Sequence, residues 1–129
     1  MTSELRKPTR TLIVEDHALN RCLLRDLLEW HGHEVVEAIG GEDAWTALDL
    51  EPPDLVLCDI QIPGGGGERL LARIRADARM AEVPVVAVTA LSMPTDRTRL
   101  LDAGFDAYVA KPFDRRALLE VVDGFVGRR

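Results

Sequence analysis

The sequence predicts an α/β fold: a doubly wound parallel sheet of five strands with helices on both faces. Short β-branched apolar runs alternate with longer amphipathic stretches five times along the chain, the pattern of strands connected by covering helices. Three of the apolar runs are almost free of polar residues, as strands buried on both faces are. Five such units without an internal repeat favour the flavodoxin-like strand order 2-1-3-4-5.

The apolar runs give the bounds of the strands. Each run is followed closely by a polar residue, a glycine or a proline, which limits its length to that of a short buried strand. The predicted strands are Thr11–Val14, Glu34–Glu37, Leu55–Cys58, Pro84–Thr89 and Ala107–Ala110.

Helical periodicity marks the segments between the strands. Apolar residues recur three and four positions apart, so they line one face of a helix and are predicted to pack on the sheet. The fourth helix, predicted over Pro94–Ala103, has only Leu100 and Leu101 as large apolar anchors. The other stripes are Leu19, Leu23, Leu27 and Trp30, then Leu70, Leu71 and Ile74, and then Leu118, Val121, Val122 and Phe125.

Glycines, prolines and one acidic residue mark the helix ends. Gly40 and Gly41 precede the second helix, Gly104 closes the fourth, and Asp114 is placed to cap the fifth. Four consecutive glycines make Pro63–Gly67 the strongest loop signal, and their conformational freedom predicts a mobile loop. No Lys-Ser or Lys-Thr follows them, so a nucleotide-binding glycine loop is disfavoured.

Composition narrows the function. The 129 residues, 47% of them hydrophobic and 29% charged, suit one globular domain, with an ordered core expected over about residues 10–126. A net charge of −6 disfavours direct nucleic-acid binding. The sequence has no apolar run long enough for membrane insertion and no secretory signal, so we expect a cytoplasmic protein. Cys22 and Cys58 match no disulfide or metal-ligand spacing and are expected as free thiols.

Polar residues that follow four of the strands are the candidate functional site. Glu15 and Asp16 follow the first strand, Asp59 the third and Lys111 the fifth, while Thr89 ends the fourth. In a doubly wound sheet, ligands bind beyond the carboxyl ends of the strands where the strand order reverses. We therefore expect three carboxylates, a hydroxyl and an ammonium at one edge.

This combination favours metal-assisted phosphoryl chemistry. Three neighbouring carboxylates repel one another, and a hard divalent cation relieves that repulsion. Mg²⁺ suits the small number of protein carboxylates, with Mn²⁺ as the alternative. Lys111 and Thr89 would contact phosphoryl oxygens, which leaves Asp59 as the nucleophile.

Four motifs at these strand ends resemble those of response-regulator receiver domains, which are CheY-like signalling switches, and the resemblance covers nearly the whole chain. They are LIVED at Leu12–Asp16, DIQIP at Asp59–Pro63, VTA at Val88–Ala90 and YVAKP at Tyr108–Pro112. The run Val83–Met93 further resembles DivK-type single-domain regulators and the receivers of hybrid histidine kinases. One departure is the glycine run, in which only Gly67 matches the family's usual glycine.

The resemblance implies a role for each site residue. Asp59 matches the phosphoacceptor, Asp16 a direct metal ligand, Glu15 an acid that acts on the metal through water, and Gln61 a backbone carbonyl ligand. Thr89 and the Ala90 backbone N–H match the groups that hold phosphoryl oxygens, and Lys111 matches the family's lysine. Tyr108 matches the switch aromatic that is paired with Thr89. Pro112 matches the cis proline.

The resemblance also implies a signalling function. The chain would take a phosphoryl group from a histidine kinase or a His-phosphotransfer protein and slowly lose it again. It would then bind a downstream protein through the face formed by the fourth helix, fifth strand and fifth helix. We expect residues 1–129 to be a single receiver domain without an output domain.

Three alternatives stay open. The chain could be a receiver excised from a hybrid histidine kinase, or an unphosphorylated scaffold. It could also be a phosphatase with an aspartyl-phosphate intermediate, although such enzymes use a second acid two residues after the nucleophile, where this chain has Gln61.

Overall fold

A computed structural model describes residues 8–91 and 93–126 of the chain. Five parallel strands form one sheet in the order β2-β1-β3-β4-β5, which confirms the predicted fold class and strand order. The strands are β1 Arg10–Val14, β2 Glu34–Ala38, β3 Leu55–Cys58, β4 Val85–Thr89 and β5 Ala107–Ala110.

Five helices connect and cover the strands. Their bounds follow the predicted periodicity, and the fourth helix has the predicted span. The Asp114 carboxylate accepts a hydrogen bond from the Arg116 amide at 3.3 Å, as a residue that caps the fifth helix should. The helices are α1 Ala18–Trp30, α2 Gly41–Leu50, α3 Gly66–Ala76, α4 Pro94–Ala103 and α5 Arg115–Val126.

The core lies in two layers, one on each face of the sheet. Side chains alternate along each strand, so Leu12 and Val14 of β1 face one layer while Ile13 faces the other. Helices α2, α3 and α4 cover the first layer, and α1 and α5 cover the second. In α4 only Leu100 is buried, which leaves this helix the least anchored of those on its face.

The predicted core stripe of α1 was wrong for three of its four members. Leu19, Leu23 and Trp30 lie largely in solvent, with Trp30 77% exposed, and only Leu27 is buried. The α1 sequence carries two adjacent apolar stripes, and the second of them, Leu24 with Leu27 and Leu28, packs on the sheet. Periodicity identifies an apolar face but does not decide between two neighbouring ones.

The glycine run is shorter as a loop than predicted, because α3 already begins at Gly66. Gly64, Gly65 and Gly66 all have positive φ, a conformation that favours glycine. Backbone hydrogen bonds hold both ends of the segment: the Gly41 amide donates to the Pro63 carbonyl at 2.9 Å, and the Gly67 amide donates to the Ile60 carbonyl at 2.8 Å. The mobility of this loop stays a prediction.

Candidate functional site

The sheet register brings the predicted site residues to one edge. Val14 pairs with Cys58 and Thr89 with Ala110, so β1 ends level with β3, and β4 ends level with β5. Because Cys58 pairs with Ala87, β4 and β5 extend two residues beyond the end of β3. Backbone bonds continue past the strands: the Asp59 amide donates to the Val14 carbonyl, and the Lys111 amide donates to the Thr89 carbonyl, both at 2.9 Å. The backbone that carries the site is therefore part of the sheet.

Three carboxylates form an acidic cluster at this edge. Glu15, Asp16 and Asp59 each offer an oxygen, and these oxygens lie within 4.8 Å of one another. Glu15 is 1% exposed and Asp59 is also buried, whereas Asp16 faces solvent. Hard carboxylate oxygens at this spacing are a donor set that suits a divalent cation such as Mg²⁺.

Lys111 contacts two of these carboxylates. Its ammonium nitrogen lies 2.8 Å from Asp59 Oδ2 and 2.5 Å from Glu15 Oε1. Burial lowers the pKa of Lys111, but its hydrogen bonds to Asp59 and Glu15, together with their charges, more than offset this effect and raise the pKa above the ordinary lysine value. The lysine is therefore a fixed cation within the acidic cluster.

Backbone amides hold the second oxygens of the two buried acids. Asp59 Oδ1 accepts a hydrogen bond from the Gln61 amide at 3.1 Å, and Glu15 Oε2 accepts one from the His17 amide at 3.0 Å. In the part of the chain that the structure describes, the Asp16 carboxylate has no hydrogen-bond partner. Asp16 is thus the acid whose oxygens are free for a new ligand.

Thr89 ends β4 and Ala90 follows it, whereas Tyr108 lies within β5, where it pairs in register with Ala87. The Thr89 side chain is fully buried, and its hydroxyl oxygen accepts a hydrogen bond from the Leu91 amide at 3.3 Å. Ala90 is exposed and, together with Lys111, lines a neighbouring groove. The Lys111–Pro112 peptide bond is cis, as the resemblance implied.

The Tyr108 side chain reaches into the protein interior. Its oxygen is buried and has no hydrogen-bond partner among residues 8–91 and 93–126. The ring packs against the core layer under α2, α3 and α4.

Cys58 lies directly beneath the site and is part of the core. As predicted from strand alternation, its side chain packs with Leu12 and Val56, away from the acidic edge. Burial, together with the charges of Asp59 and Glu15, raises the pKa of this thiol well above its ordinary range. A buried, neutral thiol of this kind is structural and unreactive.

The structure adds two features that sequence patterns did not indicate. Arg21 of α1 donates from Nη1 to the backbone carbonyl of Glu15 at 3.0 Å. A groove of about 770 Å³ runs from Ala90 and Lys111 along α1, where its apolar lining includes Leu23 and Trp30. The periodicity of Leu19, Leu23 and Trp30 was apparent in the sequence, but it led to the prediction of a buried stripe and not of an exposed one.

Comparison with known proteins agrees with the motifs. The response regulator receiver domain family matches residues 11–123. The polar-differentiation response regulator DivK of Brucella anthropi is 35% identical over 120 residues, which cover 93% of this chain and 98% of that protein. No helix among the described residues is long and apolar enough to cross a membrane.

Solved structures agree as well. The receiver domain of the sensor histidine kinase PA1611 from Pseudomonas aeruginosa PAO1, with a magnesium ion coordinated in its active-site cleft, is 30% identical with a TM-score of 0.86, over 94% of this chain and 99% of that one. The signal receiver domain of a histidine kinase from Syntrophus aciditrophicus is 30% identical with a TM-score of 0.84, over 92% and 89% of the two chains. The strand order, the strand-end motifs and these similarities together show that the chain belongs to the response regulator receiver domain family, whose members are signalling switches of two-component systems.

Proposed function

We propose that Asp59 accepts a phosphoryl group from a phosphohistidine of a histidine kinase or a His-phosphotransfer protein. The observation that carries this proposal is the Asp59 carboxylate, which lies in an acidic cluster and contacts the Lys111 ammonium at 2.8 Å. An Asp59 oxygen would form a bond to phosphorus as the phosphorus–nitrogen bond breaks and the imidazole leaves. The product is an aspartyl phosphate.

The acidic cluster would hold the divalent cation that this transfer needs. Asp16 and Asp59 are the proposed direct ligands, the Gln61 backbone carbonyl is a third, and Glu15 acts through water. Mg²⁺ is the proposed ion and Mn²⁺ the alternative; when bound, the ion neutralises negative charge on the carboxylates and the phosphoryl oxygens. The magnesium ion in the similar receiver from Pseudomonas aeruginosa supports this assignment.

Three groups would hold the transferred phosphoryl group. Lys111 would move its ammonium from the two carboxylates to a phosphoryl oxygen, since a phosphoryl group carries more negative charge than either carboxylate. The Thr89 hydroxyl and the Ala90 backbone N–H would donate to the other oxygens. Lys111 and Thr89 are then the residues whose contacts differ between the two states.

The proposed chemistry is confined to the protein's own aspartate. Attack on external substrates requires a general acid/base near the nucleophile, and the residue two positions after Asp59 is Gln61, which does not titrate. We therefore propose a switch that catalyses its own phosphorylation and a slow autodephosphorylation. Its proposed location is the cytoplasm, where kinases have access to ATP.

The α1 groove is the proposed docking surface for the phosphodonor. It begins at Lys111 and Ala90 beside the acceptor and continues over Leu23 and Trp30, which are 49% and 77% exposed. A protein that places a phosphohistidine at Asp59 must cover this edge, and burial of exposed apolar side chains would stabilise the complex.

The face of α4, β5 and α5 is the proposed surface for the downstream partner. Leu101 of α4 and Phe125 of α5 are partly exposed apolar residues of these helices. Only Leu100 anchors α4 in the core, so a small change in free energy can shift the helix. Thr89 and Tyr108 would couple Asp59 to this face, because rearrangement of Thr89 alters the space around the Tyr108 ring.

One experiment tests the phosphoacceptor. The protein is incubated with acetyl phosphate, with and without Mg²⁺, and its intact mass is measured. We expect one acid-labile phosphoryl group that depends on Mg²⁺ and is absent from Asp59→Asn, because an amide does not act as the nucleophile. Asp102→Asn, at an exposed α4 position, is the control and should be labelled normally. Labelling of Asp59→Asn at the wild-type rate would contradict the proposal.

A second experiment tests the donor surface. Leu23→Lys should slow transfer from a cognate phosphorylated His-phosphotransfer protein but leave labelling by acetyl phosphate unchanged, since the small donor needs no docking surface. Leu50→Lys is the matched control, because Leu50 is equally apolar and 83% exposed but lies on α2. Equal slowing by both substitutions would exclude α1 as the specific surface.

A further inference from the structure

Arg21 connects the acidic cluster to the edge of the sheet. Its Nη1 donates to the Glu15 backbone carbonyl at 3.0 Å, and its Nε lies 3.2 Å from Glu37 Oε1 of β2. The Arg21 side chain is only 21% exposed. One guanidinium therefore contacts both a backbone group of the site and a carboxylate at the end of the neighbouring strand.

The carbonyl that Arg21 holds belongs to the peptide between Glu15 and Asp16. The other backbone group of Glu15 is also fixed, because its amide donates to the Ala38 carbonyl at 3.0 Å. The Asp16 carboxylate itself has no hydrogen-bond partner within the described residues. Its direction consequently depends on the backbone on either side of it. The Glu15 side chain holds the peptide that follows Asp16 by accepting from the His17 amide, and Arg21 is the side chain that holds the peptide that precedes it.

Arg21 has two opposing effects on a cation at this site. A positive charge near the acidic cluster repels the cation, whereas a fixed Asp16 backbone lowers the entropy lost when the carboxylate binds it. Glu37 compensates the charge of Arg21, which weakens the repulsion but leaves the restraint intact. The restraint should therefore dominate.

We infer that Arg21, anchored by Glu37, is a positioning residue of the divalent-cation site. It contacts neither the cation nor the phosphoryl group; it holds the Glu15–Asp16 peptide so that the Asp16 carboxylate points at the cation. The inference rests on the proposed function, since it assumes that Asp16 is a ligand. Its consequence is a site whose cation affinity depends on a contact between α1 and β2.

Calorimetric Mg²⁺ titration of Arg21→Ala tests this inference. We expect Kd to rise about tenfold, the lower range for groups that orient metal ligands. The Mg²⁺ concentration that gives half the maximal rate of labelling by acetyl phosphate should rise in proportion to Kd. The maximal rate at saturating Mg²⁺ should equal that of the wild type, because Arg21 does not touch the reacting atoms. Arg21→Lys keeps the charge but cannot contact Glu15 and Glu37 with two separate nitrogens. Its Kd for Mg²⁺ should therefore lie between those of the wild type and Arg21→Ala.

Arg25→Ala is the matched control. Arg25 contacts the same Glu37 at 3.4 Å but does not reach Glu15, so its loss should leave Mg²⁺ affinity unchanged. Glu37→Gln, which removes the charged anchor that Arg21 shares with Arg25, should weaken Mg²⁺ binding severalfold and tests the inference even if Arg21→Ala does not fold.

The outcomes separate this inference from the proposed function. Wild-type Mg²⁺ affinity in Arg21→Ala, or in both Arg21→Lys and Glu37→Gln, would overturn the positioning role while Asp59 phosphorylation stands. Tighter Mg²⁺ binding in Arg21→Ala would show that charge repulsion dominates and would also overturn it. If the wild-type protein binds no Mg²⁺, the proposed cation site itself is wrong.

Discussion

The Lys111 ammonium nitrogen lies between Asp59 Oδ2, at 2.8 Å, and Glu15 Oε1, at 2.5 Å. Lys111 thus neutralises part of the negative charge of the acidic cluster and reduces the repulsion between its two buried carboxylates. Lys111 has two successive sets of partners in the proposed cycle, the carboxylates first and the phosphoryl oxygens afterwards. Removing it should affect stability, cation binding and phosphorylation in different directions.

Lys111→Met should lower the free energy of unfolding of the metal-free protein by about 1.5–3 kcal/mol, the value of hydrogen bonds to charged groups. Mg²⁺ affinity should rise, because a competing cation is gone. Phosphorylation should slow strongly. Urea unfolding followed by tryptophan fluorescence, with and without Mg²⁺, measures the first two effects. A variant as stable as the wild type without metal would contradict the role of Lys111 in charge balance.

The pH dependence of stability gives a separate test of Lys111. Its pKa is raised in the folded protein, so its contribution is fully present below the unfolded pKa of about 10.4 and is lost as pH rises through the higher folded value. The difference in unfolding free energy between wild type and Lys111→Met should therefore shrink above about pH 10.4. A constant difference between pH 9 and pH 12 (approximate limits around the lysine pKa) would contradict this sign.

Asp16→Ala should weaken Mg²⁺ binding more than Glu15→Gln. Asp16 is exposed and free of hydrogen bonds within the described residues, whereas both Glu15 oxygens already have partners in Lys111 and His17. We expect a loss of more than about tenfold for Asp16→Ala and a smaller one for Glu15→Gln. Calorimetry measures both values. Equal losses would contradict the proposed distinction between a direct and a water-mediated ligand, and a larger loss for Glu15→Gln would reverse it.

Gly67→Ala should destabilise the fold by about 1–3 kcal/mol. A Cβ at this position would lie 2.7 Å from the Asp59 carbonyl oxygen and 3.2 Å from Cys58 Sγ, so the backbone beneath the site would have to move. Gly124→Ala is the control: nothing lies within 4 Å of its Cβ position in α5, and it should stabilise by about 0.5–1 kcal/mol. Urea unfolding measures the free energies of unfolding of both variants. A Gly67→Ala variant as stable as the wild type would contradict the close packing at this position.

Thr89→Ala should still allow phosphorylation of Asp59 but reduce the signal that reaches a partner. The hydroxyl is fully buried beside the site, so its loss removes the group that would respond to phosphoryl oxygens. Allosteric coupling is typically about 1–3 kcal/mol, and we expect most of the affinity ratio between phosphorylated and unphosphorylated protein to disappear. Titration of a cognate partner with the phosphorylated and the unphosphorylated protein measures this affinity ratio. An unchanged ratio would indicate that the signal leaves Asp59 by a route other than Thr89, with the Gly64–Gly67 segment as the next one to test.

Local signals were sufficient for the fold and for the grouping of the three carboxylates with Lys111 at one edge of the sheet. β3, β5 and α4 have the predicted bounds, and β1, β2 and β4 differ by one residue at an end. Asp59 and Lys111 were predicted to lie together because each follows a strand, and the carboxyl ends of parallel strands meet at one edge of the sheet. These features depend on short-range patterns that the sequence displays directly.

The sequence by itself determined the strands, the helices between them and the polar residues at the strand ends, since alternating periods and strand-end residues are local properties. Only the tertiary structure decided which of two apolar stripes of α1 faces the sheet, leaving Leu23 and Trp30 in a groove beside Lys111. It also decided that Arg21 reaches the Glu15 carbonyl and that Lys111 contacts two carboxylates at once. Long flexible side chains and competing apolar faces have several local solutions, and only packing against distant elements selects one of them.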